Sequence, residues 1–268
     1  MNFECIILII VHKADPTIYE LSSLAQCYKI LGNYQIRLIA PEGLNVSKYK
    51  AQVPQIVVDY IHPKWQKTYA MFNRLKILPL LYSKYSKFQY ILFYELDAWV
   101  FYDNLDYWCK KDFDYIGAPW FEGWQYAKEN ASFIGIGNGG FSLRKVKSHL
   151  KILKTFSYII PFKVLIRDFL KEPSPRKFLN LIRNLTIKNN TFQIFNDFQG
   201  NEDYFWGIFV SNKFKWFKVP DVNTALKFSI EVNPHLYIKS ADDLPFGCHA
   251  WYKYNIEFWR RYIKPDKI

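Results

Sequence analysis

Apolar and polar residues alternate in blocks along the N-terminal third of the chain, and the blocks differ in period. Short runs rich in β-branched and aromatic residues are typical of strands buried on both faces. They occupy residues 3–11, 35–40 and 89–94. Residues 18–31 and 66–85 instead place apolar side chains at the helical period of about 3.6 residues. Strands alternating with helices predict right-handed parallel units, and hence an α/β fold with a mostly parallel central sheet flanked by helices.

Two details of this pattern can be checked against a structure. Pro79 falls inside the second helical stretch and predicts a bend there, because proline removes a backbone hydrogen bond. Residues 214–219, which are rich in aromatic and apolar side chains, predict a later strand.

The strand predicted at 89–94 ends in acid. Glu95 and Asp97 follow it, with only Leu96 between them. In an open α/β sheet the ligand crevice lies at the carboxyl ends of the strands, so these acids are expected to face a ligand. Two oxygen donors at this spacing can chelate a hard divalent cation that also holds a phosphate group. A solvated acidic turn is the alternative interpretation.

A glycine-rich loop is the second feature with chemical meaning. Residues 137–140 read Gly-Asn-Gly-Gly, which is more glycine than a plain hairpin turn needs. We interpret it as a loop that faces a substrate. The nucleotide-binding patterns GxGxxG and GxxxxGKS do not follow the first strand, which argues against dinucleotide and P-loop enzymes.

Composition sets the class of protein. Half of the 268 residues are apolar and 19% are aromatic, which is enough for a full core and excludes disorder over most of the chain. The four cysteines lie far apart, without the spacing of a zinc site. The apolar run after Glu4 is too short for a signal peptide, and no run approaches the roughly 18 apolar residues of a membrane span. We therefore expect a cytoplasmic protein.

The net charge of +12 is concentrated in one segment. Residues 144–190 hold twelve Lys or Arg against two acids, Asp168 and Glu172, and their apolar residues suit a helical insert. Such a segment could lie on an anionic membrane, placing the protein at the inner face of the membrane as a peripheral protein. A solvated helical excursion is the other interpretation. No nucleic-acid-binding motif accompanies the charge, so no nucleic-acid partner is expected.

Four separated features follow one another along the chain: the acidic strand end, the glycine loop, Asn201-Glu202-Asp203 at a helix start, and the late His249. Together they resemble the nucleotide-sugar-dependent glycosyltransferases of the GT-A fold. The strings YWCKKDFDYIGAPW, GNGGFSLRKV, NEDYFWG and LPFGCHAW are similar to a bacterial family described only as a domain of unknown function. The resemblance extends from the first strand to Trp259.

The resemblance implies one GT-A (Rossmann-like) domain over residues 1–268. Residues 1–100 would form the nucleotide-binding half and residues 101–268 the acceptor-side half, with the basic helical insert at 144–190. It also implies a metal-dependent hexosyl- or N-acetylhexosaminyltransferase, inverting, that uses a UDP-sugar donor and a bacterial surface glycan or glycolipid acceptor. A retaining transferase of the same fold and a non-catalytic glycan-binding relative are the alternatives.

The resemblance also implies roles for individual residues. Asp97 and His249 would hold Mn²⁺ or Mg²⁺, and one imidazole among oxygens favours Mn²⁺. Glu95 ranks behind them as a ligand, because only one of two alignments with the family's acidic motif uses it. Asp203 would be the base that deprotonates the acceptor. The donor contacts would be His12, Asp15, Asn73, Arg74, Asn138, Gly139 and Gly140. The contacts to the acceptor or to sugar would be Glu202, Trp120, Trp124 and Trp206.

Overall fold

The computed structural model describes residues 4–193, 198 and 200–264. The strands are β1 (Cys5–Ile10), β2 (Gln35–Pro41), β3 (Val58–Ile61), β4 (Tyr90–Tyr94), β5 (Trp99–Val100), β6 (Tyr115–Ile116), β7 (Pro119–Phe121), β8 (Phe133–Ile136), β9 (Phe141–Lys145), β10 (Ser229–Ile230) and β11 (Gly247–Cys248). Six of them form the central sheet, in the order β3-β2-β1-β4-β9-β6.

Strand direction confirms the predicted α/β class. β1 pairs in parallel with β2 and β4, and β2 pairs in parallel with β3. β9 runs antiparallel to both β4 and β6, so the other five strands point the same way. The sheet is therefore mostly parallel, and helices cover it.

The longer helices are α1 (Ile18–Leu31), α2 (Ser47–Gln52), α3 (Tyr69–Leu75), α4 (Pro79–Lys84), α5 (Leu105–Lys110), α6 (Val146–Leu153), α7 (Phe162–Lys171) and α8 (Pro175–Arg183). Shorter helices span Glu202–Tyr204, Ser211–Lys213, Val222–Phe228, Pro234–Tyr237 and Ile256–Trp259. 3₁₀ turns span Pro63–Gln66, Trp124–Tyr126 and Ala241–Asp243, and π-helical turns span Asn184–Lys188 and Phe205–Val210.

Strand β1 explains why the sheet has a hydrophobic core on each face. All six of its residues are buried. Because successive side chains of a strand point to opposite faces, Ile7 and Ile9 enter one core while Ile6 and Leu8 enter the other. Each hydrophobic run therefore stabilises two layers at once.

Two predicted elements differ in detail from the structure. The helical stretch 66–85 is divided into α3 and α4, and Pro79 begins α4, where its missing N–H costs nothing. The strand predicted over residues 214–219 is wrong, because those residues form turns. Phe217 is buried against Trp206, with ring centroids 6.2 Å apart. Apolar side chains of this segment thus anchor a loop on the core.

A small second sheet, in the order β10-β11-β5, closes the end of the fold. β11 pairs antiparallel to β5, with Cys248 opposite Trp99. This pairing joins the segment that follows β4 to a segment about 150 residues later in the chain. It fixes where His249 lies.

The basic segment divides into two parts. Its beginning, β9 and α6, belongs to the body of the fold, and α6 buries Val146, His149 and Ile152. The remainder forms α7 and α8, whose residues are all at least partly exposed. Among the helices in the described part of the chain, none combines the length and the apolarity that crossing a membrane requires.

Candidate active site

A cluster of three potential metal ligands lies at the carboxyl end of β4. The turn after β4 is closed by a hydrogen bond from the Ala98 N–H to the Glu95 carbonyl, 2.9 Å long. The pairing of β11 with β5 then brings His249 alongside this turn. Ligand atoms of Glu95, Asp97 and His249 all lie within 4.8 Å of one another. The structure thus brings together the three residues expected to hold the metal.

The histidine ring is oriented for ligation. Its Nδ1 lies 2.9 Å from Glu231 Oε1, which fixes one side of the ring. Its Nε2 is buried and lies 3.1 Å from Asp97 Oδ1. A carboxylate on one ring nitrogen and a second nitrogen that faces further carboxylates is the usual arrangement of a metal-binding histidine. Two carboxylates and one imidazole fit Mn²⁺ or Mg²⁺.

Both carboxylates are held in the charged form that a cation needs. Burial raises the pKa of Glu95, but the Lys76 ammonium and His249 outweigh it and bring that pKa down to about 2. Burial likewise raises the pKa of Asp97, and His249 together with Lys253 lowers it well below the usual range. The pKa of His249 is raised well above normal, because Asp97, Glu231 and Glu95 overcome the effect of burial. The protonated ring of His249 therefore supplies the positive charge that a metal ion would bring to this cluster.

A cleft of about 570 Å³ opens onto Glu95 and Asp97. The end of β1 contributes His12 and Lys13 to its wall, and the segment after His249 contributes Lys253. This volume lies in the range of small-molecule sites. The cleft occupies the position expected for a ligand in an open α/β sheet, at the carboxyl ends of β1 and β4.

The predicted donor residues from the first half of the chain are placed differently from one another. His12 lines the cleft. Asp15 does not; its exposed side chain pairs with Lys48, 2.7 Å away. Asn73 is buried, with its amide bonded to the Glu202 N–H and the Tyr69 carbonyl. Arg74 lies outside the cleft lining.

The glycine loop packs against the protein's own side chains. A Cβ on Gly139 would lie 1.9 Å from Glu202 Oε1, and one on Gly140 would lie 2.0 Å from His249 Nε2. Asn138 is buried at a positive φ of 67°, and its Oδ1 accepts from the N–H groups of Gly140 and Phe141. The glycines are needed here because side chains on either side approach the main chain.

Glu202 and Asp203 are neighbours with different surroundings. Glu202 is buried, with Arg144 Nη1 2.7 Å from its Oε2 and Lys76 Nζ 3.2 Å from its Oε1. Asp203 is partly exposed, and its Oδ2 accepts a 2.9 Å hydrogen bond from the Gly139 N–H. Partial burial and the charge of Glu202 raise the pKa of Asp203 to about 7, although Gly139 opposes the shift. Glu202 is tied into the structure, whereas Asp203 can exchange a proton near neutral pH.

The three tryptophans expected to contact sugar are not equivalent. Trp124 is 40% exposed, and its ring lies 4.6 Å from that of the mostly buried Trp120. Trp206 is fully buried, with its ring 4.1 Å from that of His149 and its Nε1 bonded to the Lys76 carbonyl. The structure therefore places Trp206 in the core, where a saccharide cannot reach it, because the π-helical turn 205–210 faces inward.

Comparison with known proteins identifies the family. The sequence matches, over residues 55–249, a family described as "Protein of unknown function (DUF5672)". The chain belongs to this family. No curated protein matches the sequence.

Solved structures with distant likeness to this DUF5672 member include several glycosyltransferases. The apo form of mouse xyloside xylosyltransferase 1 is 10% identical, with 92% of this chain and 97% of that chain covered and a TM-score of 0.49. A glycosyltransferase involved in glycosylation of the major capsid of PBCV-1 is 12% identical, with 92% of each chain covered and a TM-score of 0.44. The galactosyltransferase LgtC with donor and acceptor sugar analogues is 10% identical, with 91% and 86% covered and a TM-score of 0.43. Scores below 0.5 at such identities carry no conclusion about activity.

Three residues of the site escaped the sequence analysis. Lys76 bridges Glu95 and Glu202, Lys253 Nζ lies 2.6 Å from Asp97 Oδ2, and Glu231 orients His249. The sequence could have pointed to Lys253 as a site residue, because it follows His249 by four residues. Lys76 and Glu231 carried no such signal, because only the tertiary fold brings them to the cluster.

Proposed function

We propose that this chain is a metal-dependent glycosyltransferase of the GT-A fold. It would transfer a sugar, hexosyl or N-acetylhexosaminyl, from a UDP-sugar to a bacterial surface glycan or lipid-linked saccharide. The observation that carries the proposal is the meeting of a metal-ligand cluster and a raised-pKa carboxyl across the glycine loop. Gly140 lies against the His249 ring, and the N–H of Gly139 donates to Asp203. The metal-ligand cluster and the Asp203 carboxyl therefore contact two consecutive residues of the loop.

Asp97, His249 and Glu95 would hold Mn²⁺ or Mg²⁺ at the floor of the cleft. When bound, the ion supplies Lewis acidity toward the diphosphate that leaves with its negative charge. Glu231 keeps Nε2 of His249 directed at the ligand position, where a bound ion would replace the proton.

The protein's own cations complete the donor site. Lys253 lines the cleft beside Asp97, and Lys13 lines it at the end of β1. Phosphate oxygens that reach the floor of the cleft would meet Lys253, which can leave Asp97 for the more strongly charged diphosphate. His12 would then lie beside the nucleoside. The choice of UDP follows from the sequence resemblance.

Asp203 is the proposed base of an inverting reaction. An acceptor hydroxyl needs a group that takes its proton, and a carboxyl with a pKa near the working pH is suited to that role. The main-chain N–H of Gly139 holds Oδ2 in place. Trp124 and the 41% exposed Tyr204, with ring centroids 6.3 Å apart, offer an aromatic rim to an acceptor sugar.

The acceptor part of the proposal includes contact with a membrane. A lipid-linked acceptor would reach this site most readily from a protein held at the surface that contains it. The basic segment 144–190 is the part of the chain proposed to make that contact.

A panel of nucleotide sugars tests the proposal. The purified protein with Mn²⁺ is expected to bind at least one UDP-sugar in a thermal-shift assay and to hydrolyse it slowly without acceptor. His249→Ala should remove the Mn²⁺-dependent shift. His235→Ala, at an exposed histidine 3.1 Å from Glu129, is the matched control and should keep it.

Two results would contradict the proposal. Failure of every donor to bind with Mn²⁺ would exclude a transferase of this class. Sugar binding without any turnover would favour a non-catalytic glycan-binding protein. Once turnover is found, NMR of the product anomer separates an inverting from a retaining reaction.

A further inference from the structure

The helices α7 and α8 form a hairpin that stands apart from the body of the protein. Phe169 and Phe178 join the two helices, with ring centroids 5.9 Å apart. Neither helix contains a buried residue. Residues 154–193, all of which are described, contribute nothing to the three hydrophobic cores. The hairpin is therefore a folded element whose apolar surface is not packed into a core by any residue that the structure describes.

A hydrogen-bonded neck fixes the hairpin to the body. Ser157 and Thr191 bond to each other twice, N–H to Oγ1 and carbonyl to N–H, at 2.9 Å each. Asn189 bonds through its amide to both the N–H and the carbonyl of Ile160, at 2.7 Å each. Lys213 donates to the Ile159 carbonyl. These bonds close the base of the hairpin, and Lys213 links that base to the body.

The exposed apolar residues follow helical spacing. In α7, Phe162, Ile166 and Leu170 recur every four residues and are 41%, 43% and 65% exposed. In α8, Phe178 and Ile182 repeat the same spacing and are 50% and 43% exposed. Side chains of this size and number are rarely left in water by a protein that uses them only for folding.

Cations line the same face of α7. Lys163, Arg167 and Lys171 are also four residues apart, and they border a shallow groove with Ile166 and Leu170. Asp168 lines the separate groove between the helices, with Lys177, and its Oδ1 lies 3.6 Å from Arg167 Nε in an exposed ion pair. One surface of α7 therefore alternates long basic side chains with aliphatic ones.

We infer that this face of the α7–α8 hairpin binds an anionic membrane surface. Ile166 and Leu170 enter the boundary between headgroups and acyl chains, while Lys163, Arg167 and Lys171 extend to the lipid phosphates. The inference narrows the membrane contact of the proposed function from residues 144–190 to the hairpin, because β9 and α6 are built into the core. It does not depend on the transferase chemistry.

The charge pattern favours a membrane over a second copy of the chain. Residues 162–188 hold seven Lys or Arg and two acids. A two-fold dimer through this face would set one cationic row against its own copy, which costs free energy at each pair. An anionic bilayer accepts the same row favourably, at a gain of about fivefold in binding for each cation.

Vesicle co-sedimentation tests the inference directly. The full chain is expected to sediment with vesicles of phosphatidylcholine and about 30% phosphatidylglycerol, and not with phosphatidylcholine alone. Lys163→Gln with Lys171→Gln should weaken binding about 30-fold. Ile166→Ser with Leu170→Ser should weaken it at least about 10-fold by removing the inserted side chains. All four residues lie outside the cores, so these variants are expected to fold.

A matched control and three contrary outcomes complete the test. Lys110→Gln with Lys111→Gln removes the same charge from the exposed end of α5 and should bind vesicles like the wild type. Equal loss in this control, or equal binding to both vesicle types, would overturn the inference. So would a dimer in light scattering that Leu170→Ser abolishes, because a second copy would then cover the face. Donor binding measured on the same samples keeps a failure here separate from a failure of the transferase proposal.

Discussion

Two regions of this protein carry prominent positive charges, and they differ in burial and in the number of acidic partners. Lys76 and Arg144 are buried and face the carboxylates of Glu95 and Glu202. The cations of the α7–α8 hairpin are exposed, and acids are few around them. The buried pair fixes the positions of site residues, whereas the cations of the hairpin face solvent and only Arg167 and Lys177 among them have an acid beside them in an ion pair that the structure describes. The role of a positive charge therefore depends on whether carboxylates neutralise it, and not on the charge alone.

The largest effect is expected from breaking the buried pairing. Arg144→Met leaves the buried Glu202 without its main partner, and should lower the free energy of unfolding by about 3–5 kcal/mol. Chemical denaturation measures this change. Arg167→Met, the same substitution in the hairpin, should stay within about 0.5 kcal/mol of the wild type.

A double variant sharpens the comparison. Adding Glu202→Gln to Arg144→Met removes the uncompensated charge and should recover part of the lost stability. A double variant less stable than Arg144→Met alone would show that Glu202 stabilises the fold through its other contacts.

Substitution of the proposed base comes next in size. Asp203→Asn should lower transferase turnover by about 100-fold or more, because the acceptor hydroxyl loses its proton acceptor. Donor affinity should change little. Steady-state kinetics and donor titration measure the two quantities, and Asp242→Asn, at an exposed acid, is the control. An unfolded Asp203→Asn protein would instead indicate a structural role for the bond to Gly139.

The pH dependence of turnover follows from the raised pKa of Asp203. A base must be ionised, so turnover should rise as the pH passes through about 7, the pKa that partial burial and Glu202 impose. At an ordinary Asp pKa of about 4 the rise would lie about three pH units lower. Turnover that is flat between about pH 5 and 8 would exclude Asp203 as the base.

The smallest predicted effect concerns Glu231, which acts through His249. Glu231→Gln keeps the size of the side chain but removes the charge that orients the imidazole, and should weaken Mn²⁺ binding about 10- to 100-fold. Calorimetric titration with Mn²⁺ measures this without any turnover. Glu257→Gln, at an exposed glutamate paired with Arg260, should bind Mn²⁺ like the wild type.

The sequence is informative where local pattern decides structure. The buried strands, the acid at the end of β4 and the amphipathic stripes of the hairpin are visible in residue spacing. The environments of Lys76 and Trp206 could not be predicted from the sequence, because distant segments of the chain form them. In the sequence, Lys76 looks as solvent-exposed as the nearby Arg74. In the structure it is buried, and its pKa is raised because Glu95 and Glu202 overcome the effect of burial. Aromatic residues in an inward-facing π-helical turn look the same in sequence as those on a sugar platform.

The neck at Ser157 and Thr191 has a consequence for how this chain can be altered. Because the excursion leaves and re-enters the body at one hydrogen-bonded point, its entry and exit lie side by side. Residues 158–190 could be exchanged for a short flexible linker, with little strain on α6 or on the helix that carries Asp203, since loop length adds only slowly to the closure entropy. We therefore expect a chain with residues 158–190 replaced in this way to keep the fold of the body.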